Sequence, residues 1–318
     1  MAPLMPPAPT PTPLAPQLLP SAADAPARAS FSDERSGLAP LESAEFDARH
    51  SARLAELPKD RLDVWMEGTY GQFEVDKSEG EFGILHIGAD YLYTPDVLIG
   101  FSAQIDWIDS QSTEDESTAE GLGFLVGPYV TARLAPKLLF DGRVSWGQAR
   151  NEISPFGTYS DEFDSERWLI SAAFIGDFKL NENLTLMPEA RLNWYREESD
   201  AYVDSHKLEI DSVTVETGSL EFGPTVRGTF KSGEQGSFNP FVGLKGIWTF
   251  ANNISTEEVA ENPPQAEEGI RGKIDFGIEI TDPELAEGLM ISLSGFYDGF
   301  GEEDFEVWGG NIGVRKSF

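Results

Sequence analysis

The sequence predicts an all-β chain, a twelve-stranded antiparallel up-and-down transmembrane β-barrel, preceded by one α-helix threaded through its pore. Three observations predict it. From residue 61 onward, apolar and polar residues alternate with period two. The alternating segments number twelve, an even count, and their connections mostly alternate between short and long. Many of the segments run to about 11 to 15 residues, longer than usual globular strands and sufficient for a tilted bilayer crossing of about 9 to 11.

Composition narrows the chemistry. The 318 residues hold 23 basic and 55 acidic side chains, a formal net charge of −32. Such a field repels phosphate backbones, so nucleic acid is not expected as a partner. Cysteine is absent and histidine occurs three times, which excludes disulfides, thiolate catalysis and Cys/His metal sites. No stretch of 18 apolar residues exists, which excludes a transmembrane helix but not strands that cross by alternation.

Residues 1–40 carry ten of the 21 prolines, in runs such as Pro6-Pro7-Ala8-Pro9, and read as an extended linker or the remnant of an exported segment. Eight prolines in the first twenty residues, with no Lys or Arg before Arg28, do not make a secretory signal peptide. The expectation is therefore a fragment of a longer precursor or a displaced start. Residues 41–60 form the pore-helix segment. Within it, 41–57 has Glu45 and Arg49 at i,i+4 and a small-residue stripe of Ala44, Ala48, Ala52 and Ala55, while Arg49, His50 and Arg53 project elsewhere. Seventeen residues at 1.5 Å each span roughly 25 Å, close to the apolar band of an outer-membrane barrel. Taken on its own, this helix fits docking on a soluble domain better than threading a pore.

Residues 61–318 form the barrel, with strands near 61–75, 82–93, 97–108, 120–134, 137–150, 165–178, 183–197, 218–231, 238–251, 269–281, 288–298 and 305–318. In 184–195, Leu184, Leu186, Pro188, Ala190, Leu192 and Trp194 oppose Thr185, Met187, Glu189, Arg191, Asn193 and Tyr195. Segments 122–134 and 270–280 repeat the pattern. The windows 76–81, 109–120, 152–166, 197–216, 257–268 and 302–304 read as loops and hold 28 of the acidic residues against two basic ones, Lys77 and Lys207. One rim is thus acidic, as a solvated surface would be.

A soluble sandwich also alternates. Strand length, seven Trp placed within strands as an aromatic girdle, and a chain that stops inside an alternating strand at Phe318 favour the membrane barrel. On that model the interior receives Glu67, Asp90, Gln104, Asp141, Arg143, Glu189, Arg191, Glu221, Arg227, Lys245, Arg271, Lys273, Asp275, Glu279 and Arg315, a mixed-sign set that can pair across a narrow lumen. The inward carboxylates are candidates for ion pairing rather than acid–base work. Neither a nucleophile elbow nor a phosphate loop is present, since Gly121-Leu122-Gly123 precedes a strand, so no enzymatic activity, cofactor or metal is expected.

The order Gly88-Ala89-Asp90-Tyr91, Gly127-Pro128-Tyr129, Leu186-Met187-Pro188-Glu189-Ala190, Trp194-Tyr195-Arg196-Glu197, Phe222-Gly223-Pro224, Pro240-Phe241-Val242-Gly243-Leu244 and Tyr297-Asp298-Gly299 resembles the translocator domain of type V autotransporters. The resemblance covers about 61–318, and 41–318 with the helix. It implies a monomeric outer-membrane barrel of a Gram-negative bacterium that exports or anchors its own N-terminal segment through its pore. It also implies lipid and the barrel-assembly machinery as partners, and no nucleotide consumption. The assembly signal of the final strand maps onto Asn311, Gly313, Lys316 and Phe318, with Lys316 standing where the family usually has an aromatic or aliphatic residue. Some members cut their passenger by cyclisation of a helix Asn; the first Asn here is Asn151, so that route is not expected. Two alternatives remain open at this stage: a passive channel lacking a passenger, and a soluble acidic sandwich binding a ligand through its loops.

Overall fold

The computed structural model describes residues 61–114, 116–232, 236–256, 270–282 and 286–318. The expected linker and pore helix, with Ala48, Arg49, Ala52 and Arg53, lie outside the described residues. What forms is one closed antiparallel barrel of twelve long strands, not an open sandwich. The strands are β1 Leu62–Val75, β2 Ser78–Thr94, β3 Val97–Ser112, β4 Thr118–Ala135, β5 Leu138–Ser154 and β6 Asp161–Gly176. They continue as β7 Leu184–Ser199, β8 Val213–Gly228, β9 Gly236–Thr256, β10 Ile270–Thr281, β11 Leu289–Phe300 and β12 Phe305–Ser317. Each pairs with its sequence neighbours, and β12 returns to β1 from Asp63↔Ser317 through Val75↔Phe305. Phe318 N donates to Leu62 O at 2.9 Å, continuing the seam to the chain end.

Alternation sets the two faces. In β1, Leu62, Val64 and Met66 are exposed on the outer face, while Asp63, Trp65 and Glu67 are buried. Water gains nothing from that outer apolar surface, and a hydrocarbon environment removes its cost. The tryptophans follow the outer face with one exception. Trp107, Trp168, Trp248 and Trp308 are exposed, and Trp146 faces Trp168 across the β5–β6 ladder. Trp65 instead points inward and donates from Nε1 to Tyr129 OH at 2.9 Å. Its odd position in β1 matches that of Asp63 and Glu67, so parity overrides the girdle assignment.

The strands run longer than expected, and the excess lies at one rim. β2 begins at Ser78, so the supposed loop 76–81 shrinks to the turn Asp76-Lys77, with Asp76 in the left-handed region at φ 52°. β3 and β5 extend to Ser112 and Ser154, and β8 begins at Val213. These extensions are rich in Glu, Asp and Ser, which reads as loop. Yet the backbone keeps pairing there, because the inward partners Phe73, Phe82, Ile108, Ile153 and Phe163 pack into a buried apolar cluster. A strand of 17 residues such as β5, at about 3.3 Å per residue and a tilt of about 40°, rises roughly 40 Å. That exceeds an apolar band of about 25 Å, so the acidic ends project beyond it.

Glycine makes room for interior aromatics. A Cβ at Gly100 would run into the Tyr129 ring from the neighbouring strand, and one at Gly71 into the Phe82 ring. The folded barrel is expected to migrate faster unboiled than boiled on SDS gels. Gly100→Val, which displaces Tyr129, should lower the temperature at which the unboiled band disappears, for an overpacking cost of about 1 to 3 kcal/mol; an unchanged transition would show that the contact is slack.

Candidate functional site: the barrel lumen

The inward face mixes apolar clusters with charged groups. Toward the rim with the long connections lies the apolar cluster of Phe73, Phe82, Ile84, Ile108, Ile153, Phe163, Phe296 and Val307. Toward the rim with the short turns lie Trp65, Leu92, Leu98, Tyr129, Leu139, Ala173 and Ile175. A third buried cluster, Leu125, Leu169 and Tyr195, lies apart from these two, and the charged groups are interspersed among all three. Each inward residue named from the sequence sits on that interior face: Glu67, Asp90, Asp141, Arg143, Arg191, Glu221, Lys245, Lys273 and Glu279 are buried, and Glu189, Arg227, Arg271, Asp275 and Arg315 are half-buried. Period two fixes these positions; which partner each finds depends on barrel closure.

One network occupies the β7–β11 wall. Glu189 accepts from Arg191 on its own strand and, at 2.7 Å, from Lys245 Nζ on β9. Lys245 also stands 4.0 Å from Glu221 on β8, so one ammonium serves two carboxylates. Arg227 pairs with Glu279. Lys273 Nζ lies 3.2 Å from Asp275, and Arg271 Nε donates to Asp298 at 2.9 Å while its guanidinium stacks 4.2 Å over Phe305. Arg315 reaches Asp63 at 3.6 Å across the closing seam.

A second network runs across β2, β3, β5 and β6. Gln104 Oε1 accepts from Arg143 Nη2 at 3.1 Å and meets His86 Nε2 at 2.6 Å, so Nε2 is the protonated nitrogen of that ring. Gln104 Nε2 donates to Asp106 at 3.2 Å. Asp106 receives a bidentate pair from Arg167, both contacts at 2.8 Å, with the guanidinium fully buried. Tyr129 OH donates to Asp90 at 2.9 Å. Nearer the long-loop rim, Ser165 and Tyr195 each donate to Glu197 at 2.6 Å.

Asp106, Arg167, Glu197 and Asp298 were missed in the sequence, although the parity that found Gln104 and Arg191 applies to them equally. Their segments read as ending in acidic loops, which hid their membership of the interior face. Together these groups line a lumen with fixed charge of both signs, much of it ion-paired and with acids in excess. Among the described residues no group of three or more His, Cys, Asp or Glu could hold a metal ion.

Buried pairs punish removal of one partner. Asp106→Ala should destabilise the folded barrel by about 3 to 5 kcal/mol because it strands a buried guanidinium, whereas Asp106→Ala with Arg167→Met should recover most of that loss. Urea unfolding in micelles, followed by tryptophan fluorescence, reads both; a double variant as weak as the single would refute the pairing account.

The final strand places Asn311 and Gly313 inward and buried, opposite Thr69 and Glu67 of β1. Lys316 and Phe318 face outward; Lys316 Nζ contacts Glu287 O and lies 5.6 Å over the Phe318 ring. The aliphatic stem thus covers apolar surface while the ammonium reaches the rim.

Known proteins share this architecture. The β domain of the Bordetella autotransporter BrkA is 17% identical, with a TM-score of 0.67, covering 81% of this chain and 100% of that one. The translocator domain of the autotransporter NalP from Neisseria meningitidis is 12% identical, with a TM-score of 0.65 and coverages of 94% and 100%. The transport unit of the autotransporter AIDA-I from Escherichia coli is 15% identical, with a TM-score of 0.69 and coverages of 93% and 99%. At these identities the likeness shows the fold. No curated protein sequence matches the chain significantly. The family model for the autotransporter beta-domain matches residues 64–281. With a closed twelve-stranded barrel around a charge-paired lumen, and that match across most of its length, the chain belongs to the autotransporter β-domain family and is an outer-membrane translocator barrel.

Proposed function

We propose that this barrel carries the segment preceding it, residues 1–60, through its lumen from the periplasm toward the cell exterior, and holds it there or passes on whatever is attached to it. The observation that carries this reading is the position of Arg61. Its carbonyl accepts from Leu92 N beside the short β2–β3 turn, and β1 starts there against the end of β12. The preceding chain therefore meets the barrel at the short-turn rim. Outer-membrane barrels keep short turns in the periplasm and longer loops outside, which places the acidic rim at the surface.

The helix expected over 41–57 matches the height of the apolar band by length and would occupy the lumen, with Arg49 and Arg53 held by inward acids. Lipid covers the outer face. Asn311, Gly313, Lys316 and Phe318 are proposed as the signal read by the barrel-assembly machinery, and the barrel acts as a monomer without enzymatic activity. No nucleotide enters; folding of barrel and exported segment supplies the drive.

Two experiments test it. The cysteine-free chain, placed behind an export signal, accepts single labels: Glu303→Cys should react with an impermeant maleimide on intact cells, and Glu182→Cys only after lysis. The opposite pattern would reverse the orientation. In planar bilayers, deleting residues 1–60, or changing Arg49→Ala with Arg53→Ala, should raise conductance over the full chain. Equal conductance in all three would favour a passive channel that needs no occupant.

A further inference from the structure

The outer face is not a uniform cylinder. On β1 to β6, toward the short-turn rim, lies an apolar groove of about 840 Å³. Its floor is one continuous row of register partners across six strands: Leu62↔Tyr91, Tyr91↔Ile99, Ile99↔Val130, Val130↔Gly142 and Gly142↔Ala172. Side chains shrink along that row from Tyr91 to Gly142, and small Ala172 ends it. Pro128, Val144 and Ile170 stand on the side toward the barrel middle and Phe140 on the side toward the rim. The β4–β5 ladder skips Gly127 and Pro128, where proline has no N–H to give, which lets the wall dip.

The depth of the groove suits a lipid chain. Tyr91 is three residues from the β2–β3 turn, about 8 Å along the barrel axis at a strand tilt of about 40°. Ile170 is six residues from the end of β6, about 15 Å up, roughly half the hydrocarbon thickness. Between these two residues the groove therefore lies within one leaflet, reaching to about the bilayer centre.

The polar end carries a donor. Arg61 Nη1 donates to Tyr91 OH at 3.2 Å, and the guanidinium and the phenol carry further N–H and O–H donors at this exposed position. Lys137 stands at the same rim over the Phe178 ring. Asp96, the acid at the neighbouring turn, is taken by Arg133 at 3.4 Å. The opposite rim is strongly acidic, with 28 acids in its windows against two basic residues.

We propose that this groove is a binding site for one anionic glycerophospholipid of the inner leaflet, with an acyl chain lying along the Leu62–Ala172 row and its phosphate held by Arg61 beside Tyr91. A planar guanidinium binds phosphate by two parallel hydrogen bonds, strongest where water is scarce. An uncharged or zwitterionic headgroup would gain the groove contacts without the full charge match. The leaflet assignment rests on the orientation proposed above; the site itself does not.

The test is native mass spectrometry of the full chain, folded in micelles, with phosphatidylglycerol and phosphatidylcholine of identical chains. One phosphatidylglycerol should be retained about tenfold over phosphatidylcholine, as one charge-assisted contact would give. Arg61→Gln should bring the two lipids to parity without abolishing retention. Ala172→Trp, which fills the groove from its shallow end, should abolish retention of both while the heat-dependent gel shift persists; should that variant fail to fold, Ala89→Trp fills the same groove elsewhere. Equal retention of the two lipids by the unaltered chain, a preference that survives Arg61→Gln, or a lipid-free dimer would each overturn the site. Labelling of Glu182→Cys on intact cells would instead overturn the orientation and move the site to the other leaflet, leaving the lipid measurement as it stands.

Discussion

Closure of the sheet is the constraint on which everything else depends. Inside hydrocarbon a backbone N–H or C=O has no water to turn to, so a sheet with free edges cannot stay there. The β12–β1 ladder, running from Asp63↔Ser317 to Val75↔Phe305, removes the last two edges. Once it forms, every strand has one face in lipid and one in the lumen, and a shift of one residue would exchange them. Register is therefore held by both faces at once.

Closure also decides the chemistry of the interior. Charged groups taken out of water need partners, and a barrel this narrow supplies them from strands not adjacent in sequence. Arg167 of β6 meets Asp106 of β3, and Lys245 of β9 meets Glu189 of β7. These pairs are weak evidence for stability, since well-packed apolar residues could do as well, but they keep much of the lumen polar with its charges matched. A polar lumen is what an extended or helical polypeptide can slide through without being caught by apolar walls. Two of the apolar clusters lie one near each rim.

The acidic extensions at the long-loop rim carry a different lesson. Ser78, Glu79, Gly80 and Glu81 have the composition of a loop, yet they pair with Gln72, Phe73, Glu74 and Val75 because alternate inward neighbours keep a dry cluster beneath them. Composition reports what faces solvent; it does not report what lies on the other side of the same strand. The same blindness hid Asp106, Arg167 and Glu197, whose parity was plain but whose segments ended in acid-rich stretches.

By itself the sequence determined the strand count, the antiparallel order, the face on which nearly every side chain lies and the family. All of these follow from local period, turn composition and the order of short motifs. Only the tertiary structure decided which lumen charges pair, that the inward Trp65 meets Tyr129, and that the outer face dips beside Tyr91. Those are contacts between strands far apart in sequence, or between neighbours whose relief depends on side-chain size across six strands. Period two says which way a residue points, while curvature and closure say what it meets there.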